Sequence, residues 1–326
     1  MNQDETAHAN FRTLSSYKFW KVANLVNVLI IRPGALGDTL MILPALVDLE
    51  GKVDTTFVGR QPGLDFVRDF VYLSMDFEVS GWHRLFMTRP NDRGLPVMQT
   101  DLVIAFFSKE GSRLRQNLAF YFPRTPIHVF PSLPAKGKDV HSAHYISACL
   151  KLSGLPVDPE RSMESAADRA ILADKGKPRK RNRIVLHPGS GDLRKNHPPG
   201  FWLDLRDKLG REVGFRELDL VFLLGPAEAA LVSLFEKNVR SPAKIHNCPD
   251  NGVLVDLLRG AALYIGHDSG VTHLSAMLGT PTVSLFKKSE SSQWRPLGPC
   301  VKVIRNQDPG PELVEKVIQV SRVFIV

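Results

Sequence analysis

Four short stretches of the chain carry side chains whose types and spacing could do chemistry. In the first, Val28 to Thr39, an apolar run passes into Arg32-Pro33-Gly34-Ala35-Leu36-Gly37-Asp38. In open α/β sheets ligands bind beyond the carboxyl ends of the strands, so a lone carboxylate at that mouth is placed for chemistry. Taken alone, Asp38 reads first as the N-cap of a helix over Leu40 to Leu49, and only the rest of the chain moves it towards chemistry. The second stretch, Gly266-His267-Asp268-Ser269-Gly270-Val271-Thr272-His273, follows another apolar run and opens a helix. Free N–H groups and the positive end of the helix dipole bind phosphate there, small Ser269 and Gly270 permit close approach, and Ser269 and His273 share one face. A plain cap with a surface histidine is the other reading. The third, His187 to Pro198, sets Arg194 and Lys195 after a strand, where lysine neutralises a phosphate as a point charge, unless the two cations are only a solvated pair. The fourth ends in Gly225-Pro226-Ala227-Glu228, whose carboxylate either accepts hydrogen bonds from ribose hydroxyls or simply favours the first turn of a helix.

Each stretch needs a strand behind it. Short apolar runs predict buried parallel strands at 27–31, 55–58, 101–107, 184–186, 218–224, 263–265 and 282–286, with helices between. Pro44 lies too deep for a helix capped by Asp38, so either that helix kinks or its regular part starts near Pro44 after a tight 3₁₀ piece. A helix over 141–153 is stopped by Gly154 and Pro156, and the following twenty-odd residues are polar and short of strand signal. The expected organisation is a loose arm (1–24), an N-terminal Rossmann-like domain (25–174), a basic linker (175–183) and a C-terminal Rossmann-like domain (184–326). The last helix shows one apolar face through Val314, Val317, Ile318 and Ser321, and can dock on either domain, the N-terminal one included. Both halves open with a strand running into Pro-Gly and then Gly-Asp, an echo that fits two parallel α/β sheets facing across a cleft.

Composition narrows the classes. With 326 residues, 43% hydrophobic and 23% charged, the chain fits two ordinary globular domains. No apolar run reaches the roughly 20 residues of a membrane span, and Asp4 and Glu5 are followed by no apolar block, so a cytoplasmic protein is expected. Cys149, Cys248 and Cys300 are far apart and odd in number, against a disulfide framework or a zinc site. A net charge of +8 favours an anionic partner; without a recognition motif interleaving aromatics with basic residues, nucleic acid gives way to phosphorylated small molecules or lipids. There is no G-x-G-x-x-G after the first strand, no G-x-x-x-x-G-K-[ST], no G-x-S-x-G and no Asp-x-Asp pair, which lowers dinucleotide, ATPase, hydrolase and metal-diphosphate readings.

Together and in order, "VLIIRPGALGDTLMILPAL", "LHPGSGDLRKNHPP", "LLGPAE", "GHDSGVTHLSAMLGTPTVSLF" and "WRPLGP" resemble the bacterial heptosyltransferase family, glycosyltransferase family 9. The resemblance implies a GT-B fold with an acceptor-binding N-terminal domain and a C-terminal domain for an ADP-activated sugar, transferred with inversion and with no metal or other cofactor. It implies Asp38 as general base and Lys195 at the diphosphate. Ser190, Glu228, Asp268, Ser269, Gly270 and His273 complete the donor site. The acceptor implied is an anionic lipid-linked glycan, a phosphorylated or Kdo-bearing lipopolysaccharide core met at the inner membrane face, for which Arg84, Arg89, Arg93, Arg113 and Arg115 offer charge. The oligomeric state is left open. The chain departs from the family pattern at Lys287-Lys288-Ser289 after the last of these strands and at Asn196-His197 after the lysine, so another nucleotide sugar, or a non-catalytic nucleotide-sugar-binding protein, stays in view.

Overall fold

The computed structural model describes residues 25–79, 81–90, 94–96, 99–107, 112–135, 137–174, 180–238, 244–306 and 308–325. The expected N-terminal arm, Arg93, the 108–111 stretch and the first part of the basic linker lie outside the described residues.

The first half runs β1 (Asn27–Ile31), α1 (Leu36–Leu40), α2 (Leu43–Leu49), β2 (Asp54–Gly59), α3 (Leu64–Val67), β3 (Leu73–Asp76), β4 (Leu102–Phe106), α4 (Ser112–Tyr121), β5 (Ile127–Phe130), α5 (Ser142–Leu152) and α6 (Pro159–Asp168). The second half holds β6 (Arg183–His187), α7 (Pro199–Leu209), β7 (Asp219–Leu224), α8 (Val232–Asn238), β8 (Lys244–Asn247) and α9 (Asn251–Arg259). It ends with β9 (Ala261–His267), α10 (Gly270–Met277), β10 (Thr282–Phe286), α11 (Ser291–Trp294), β11 (Val301–Arg305) and α12 (Pro311–Ser321). These make two parallel sheets, in strand order β3-β2-β1-β4-β5 and β11-β10-β9-β6-β7-β8.

The seven strands read from the sequence are present as β1, β2, β4, β6, β7, β9 and β10. The four that it did not show, β3, β5, β8 and β11, are the outer strands of the two sheets. An inner parallel strand is covered on both faces and reads as a continuous apolar run. An outer one is only partly covered and is written with polar residues between the apolar ones, as in Lys244-Ile245-His246-Asn247.

Three readings left open by the sequence are decided and one element is added. Asp38 caps no helix: Ala35 takes the N-cap position of α1, and Asp38 lies within its first turn. The segment behind it is two helices, because Pro44 cannot donate to a continuing ladder and instead occupies the opening turn of α2. The polar stretch after Gly154 holds α6, begun by Asp158, whose side chain accepts from the Arg161 N–H, and by Pro159. The C-terminal helix does not return to the first half: Leu313, Val314, Val317 and Ile318 of α12 pack with Trp202, Leu205 and Leu209 of α7 in the core around the second sheet.

The two halves touch. One apolar cluster is continuous from α2 (Leu43, Leu46, Leu49) to Leu257, Leu274 and Met277 of the second half. Polar ties cross beside it: the ring Nε2 of His141 lies 2.9 Å from the Arg295 carbonyl oxygen, and Asn251 Nδ2 donates to Asp65 Oδ2 at 2.7 Å. His141 Nδ1 accepts from the Ala143 N–H, so the hydrogen on the opposite nitrogen is the one that faces Arg295.

Candidate active site

Strand β1 delivers the chain into the core as far as Arg32, a charged residue only 2% exposed. Its Nε donates to the Asp38 carbonyl at 3.1 Å and its Nη1 to the Ser132 carbonyl at 3.0 Å, while the guanidinium lies 5.2 Å from the centre of the Phe106 ring. Burial lowers the Arg32 pKa from its ordinary value, and the Asp38 charge acts in the opposite sense. Arg32 therefore ties the backbone of the Asp38 turn to the carboxyl end of the sheet. Gly34 is required for another reason: a Cβ there would stand 2.5 Å from the Asp38 Cβ, so only a bare backbone lets that side chain fold over the turn.

In the second half, β6 ends at His187, whose Nδ1 lies 2.8 Å from the Leu223 carbonyl oxygen. Burial depresses the His187 pKa, while that backbone bond and the charge of Glu228 raise it. The loop that follows bends around Ser190, whose hydroxyl lies 2.6 Å from Asn196 Oδ1 and 2.8 Å from the Asp192 carbonyl. The Arg194-Lys195 pair then divides. Arg194 turns outward onto Asp192 at 2.7 Å and, through hydrogen bonding, holds that carboxyl at about 2. Lys195 turns inward, and its Nζ reaches Asp268 Oδ2 at 2.7 Å.

Asp268 is 4% exposed and meets His273 Nε2 at 3.6 Å on its other oxygen. Burial would raise its pKa, yet His273 and Lys195 outweigh that and hold it at about 2. The ion pair is thus fixed at the entrance of α10, where Ser269 is the N-cap and accepts from the Thr272 N–H. Thr272 in turn bonds the His267 carbonyl and the Tyr264 hydroxyl, which locks the first turn of α10 to β9.

After β7, Glu228 is 2% exposed, with Oε2 accepting from the Gly225 N–H at 2.8 Å. Its other oxygen is buried and has no partner among the described residues. The carboxyl lies directly over Gly189, where a Cβ would come within 1.8 Å of it, so the two strand-end turns interlock there. A buried carboxylate oxygen without a donor is costly unless a ligand supplies one, and a ribose hydroxyl has the right chemistry.

The decisive geometry lies between the halves. A Cβ at Gly270 would stand 2.9 Å from the Gly37 amide nitrogen and 2.9 Å from the Leu36 Cβ, so α1 and the start of α10 meet backbone to backbone. The turn bearing Asp38 thereby meets the start of α10, where a Cβ at Gly37 would lie 3.5 Å from the His273 ring, and Glu228 follows along the same edge of the second sheet. Of the candidate acceptor residues, Arg84 donates to the Gly94 carbonyl and Arg115 to the Val129 carbonyl, whereas Arg89 and Arg113 are exposed. Among the described residues no group of three or more His, Cys, Asp or Glu side chains is arranged to hold a metal, and no helix is long and apolar enough to cross a membrane.

Sequence reasoning overlooked Arg32, His141 and His187. The signal for Arg32 was available: a charged residue directly after four buried strand positions must find backbone partners. His141 and His187 act through contacts far away in sequence, which local pattern does not show.

The family model described as "Glycosyltransferase family 9 (heptosyltransferase)" matches residues 138–319. Among solved structures the chain is similar to a glycosyl transferase family 9 protein of Veillonella parvula (TM-score 0.65, 17% identity, covering 92% of this chain and 97% of that one). It is similar to E. coli heptosyltransferase WaaC, solved with ADP (0.61, 15%, 92% and 100%). It also resembles E. coli ADP-heptose lipopolysaccharide heptosyltransferase II (0.64, 12%, 92% and 98%). No curated protein matches the sequence.

Proposed function

The chain belongs to glycosyltransferase family 9, in the GT-B architecture, and we propose that it is an inverting transferase moving a sugar from a nucleoside diphosphate donor to an anionic lipid-linked glycan. ADP-heptose as donor and a lipopolysaccharide inner core as acceptor are the substrates that its relatives favour, since one similar structure was solved with ADP and another is named for ADP-heptose. The observation that supports the reading is the Gly37–Gly270 approach, which brings the turn bearing Asp38 against the start of α10, beside the His273 that meets Asp268.

In this reading the nucleoside lies at Glu228 and the diphosphate at Lys195 and the free N–H groups of α10. Asp38 takes the proton of the acceptor hydroxyl as its oxygen attacks the anomeric carbon. The bond from that carbon to the diphosphate oxygen breaks on the opposite face, and the nucleoside diphosphate leaves with the electron pair. Lys195 and the α10 dipole stabilise the departing charge, the preorganised kind of stabilisation that costs no rearrangement at the moment of reaction. Ser190 holds the Lys195 loop through Asn196, and His273 keeps Asp268 ionised. Arg89 and Arg113, exposed on the first half, offer charge to the acceptor, and Arg84 and Arg115 add positive charge from positions fixed by backbone carbonyls. The enzyme works in the cytoplasm with its acceptor at the inner membrane face.

The test is a melting-temperature series with ADP, UDP and GDP, followed by ADP release from ADP-heptose with Kdo-bearing lipid A. A ligand that binds only the native state raises the melting temperature by mass action. Stabilisation by ADP above the others, with acceptor-dependent ADP release, is expected. Stabilisation by UDP or GDP alone would move the assignment to another nucleotide sugar, and nucleotide binding without any turnover would make the protein a binding module.

A further inference from the structure

Beyond the proposed donor site, the carboxyl ends of β10 and β11 border an open pocket of about 290 Å³ lined by Lys287, Lys288, Ser289, Glu290, Arg305 and Asn306. β10 neighbours β9, the strand that ends at Asp268, and the Asp268 N–H donates to Leu285. Along the edge of the sheet the order is therefore Glu228 after β7, Lys195 after β6, Asp268 after β9, and then this cavity. At about 4.8 Å per strand, Arg305 on β11 stands about 10 Å beyond the strand that carries Asp268. The cavity thus continues the line that runs from the nucleoside pocket through the diphosphate position.

Its charge is one-sided. Three cations and one carboxylate line it. Lys287 Nζ donates to the Asn196 carbonyl at 2.9 Å, beside Lys195, and as an ammonium keeps two further donors. Arg305 is pinned by a bond from its Nε to the Ser291 hydroxyl, which leaves the outer guanidinium nitrogens available. Lys288 is exposed and has no partner among the described residues. The Ser289 hydroxyl is buried and likewise has no partner. A pinned guanidinium, two lysines and an unused hydroxyl offer more donors than the single Glu290 carboxylate can satisfy, an excess that an acceptor-rich group would take up.

We propose that this cavity is an oxyanion subsite, which holds a phosphate or carboxylate substituent of a substrate separate from the donor diphosphate. The proposal rests on the nucleotide-sugar reading for its placement, but the site itself is defined by its own side chains. The oxyanion is carried either by the acceptor glycan or by the transferred sugar, and both present the same chemistry to Lys288 and Arg305.

The experiment is equilibrium dialysis of labelled inorganic phosphate against the full chain saturated with ADP, at low ionic strength, for the parent and for Lys288→Gln and Arg305→Gln. One phosphate per chain is expected to bind beside ADP, to weaken about tenfold or more in each variant, and to leave ADP affinity within about twofold. Phosphate that ADP displaces completely, or that binds both variants as it binds the parent, would overturn the proposal. Should ADP itself fail to bind, phosphate binding lost in both variants would still support the cavity and would count only against the nucleotide reading. In turnover, a raised KM for the acceptor in the variants identifies the acceptor as carrier, and a raised KM for the donor identifies the sugar. Unchanged values for both, together with unchanged phosphate binding, contradict the subsite.

Discussion

Gly37 and Gly270 approach so closely that a Cβ on the latter would lie 2.9 Å from the amide nitrogen of the former. Two backbones from opposite halves share a space in which Gly270 has no room for a side chain, whereas a Cβ at Gly37 would come no nearer than 3.4 Å, to the Gly270 Cα. This contact, rather than any ion pair, sets the distance between the Asp38 turn of one half and the start of α10 in the other. Gly270→Ala is accordingly expected to push α1 off α10, with a stability loss of roughly 1–3 kcal/mol by overpacking and a fall in kcat/KM. Thermal denaturation and steady-state kinetics check this; an unchanged kcat/KM would show that the approach is incidental.

Gly34→Ala makes a different disturbance in the same turn. The added Cβ would stand 2.5 Å from the Asp38 Cβ, whereas the residues proposed for the donor all lie in the other half. The side chain of Asp38 must swing aside, so kcat should fall at least about tenfold while nucleotide affinity stays within about twofold. A loss in nucleotide binding equal to the loss in kcat would argue for a general collapse of the cleft.

Lys195→Met removes the partner of a buried carboxylate. Breaking a fully buried pair costs roughly 3–5 kcal/mol. Lys195 keeps 29% of its side chain in solvent and His273 remains beside Asp268, so about 2 kcal/mol is expected here. Nucleoside diphosphate affinity should drop about 10-fold to 100-fold, because a charge-assisted bond to phosphate is lost. Calorimetric titration with ADP reads the second effect independently of the first, and an unaltered affinity would remove Lys195 from the diphosphate.

Acid should destabilise the protein in two windows. Burial is the largest influence on both His141 and His197 and pushes each down to about 4 from 6.5. The unfolded chain takes up protons below 6.5 that the folded one refuses until about 4, so their contribution is intact above pH 6.5 and is lost as pH falls towards 4. Each such histidine contributes a slope of about 1.4 kcal/mol per pH unit within that window. Asp268, held at about 2 against its burial, acts lower: its contribution is present above 3.8 and is lost as pH falls through about 2. Melting temperatures between about pH 7.5 and about pH 5 should decline, with a shallower decline in His197→Phe; a flat profile would contradict the assignment of neutral buried imidazoles.

The sequence showed what local pattern can carry. Buried inner strands announced themselves as unbroken apolar runs, and Asp38, Lys195, Glu228 and Asp268 stood at strand ends because a parallel sheet directs its connections there. Pro44 correctly marked a break behind Asp38, although a helical turn over Leu36–Leu40, rather than a 3₁₀ piece, fills the space before it. The outer strands β3, β5, β8 and β11 were hidden because half-covered strands mix polar with apolar positions. Partners at long sequence separation were hidden too: that Arg194 would turn to Asp192 while its neighbour crossed to Asp268 depends on where β9 lies, and nothing within the loop encodes that. The same holds for His141, whose carbonyl partner Arg295 belongs to the other half.

The proposed chemistry depends on Asp38, whose turn is held by Arg32 and Gly34. The direct measurement compares Asp38→Asn with the parent for turnover and, separately, for ADP affinity, since the amide keeps the shape of the side chain and loses only its basicity. A positioned general base contributes about 10²- to 10⁴-fold in rate, so kcat should fall by that factor with ADP affinity unchanged within about twofold. Turnover within about threefold of the parent would contradict the assignment, because a base with that contribution cannot be removed so cheaply.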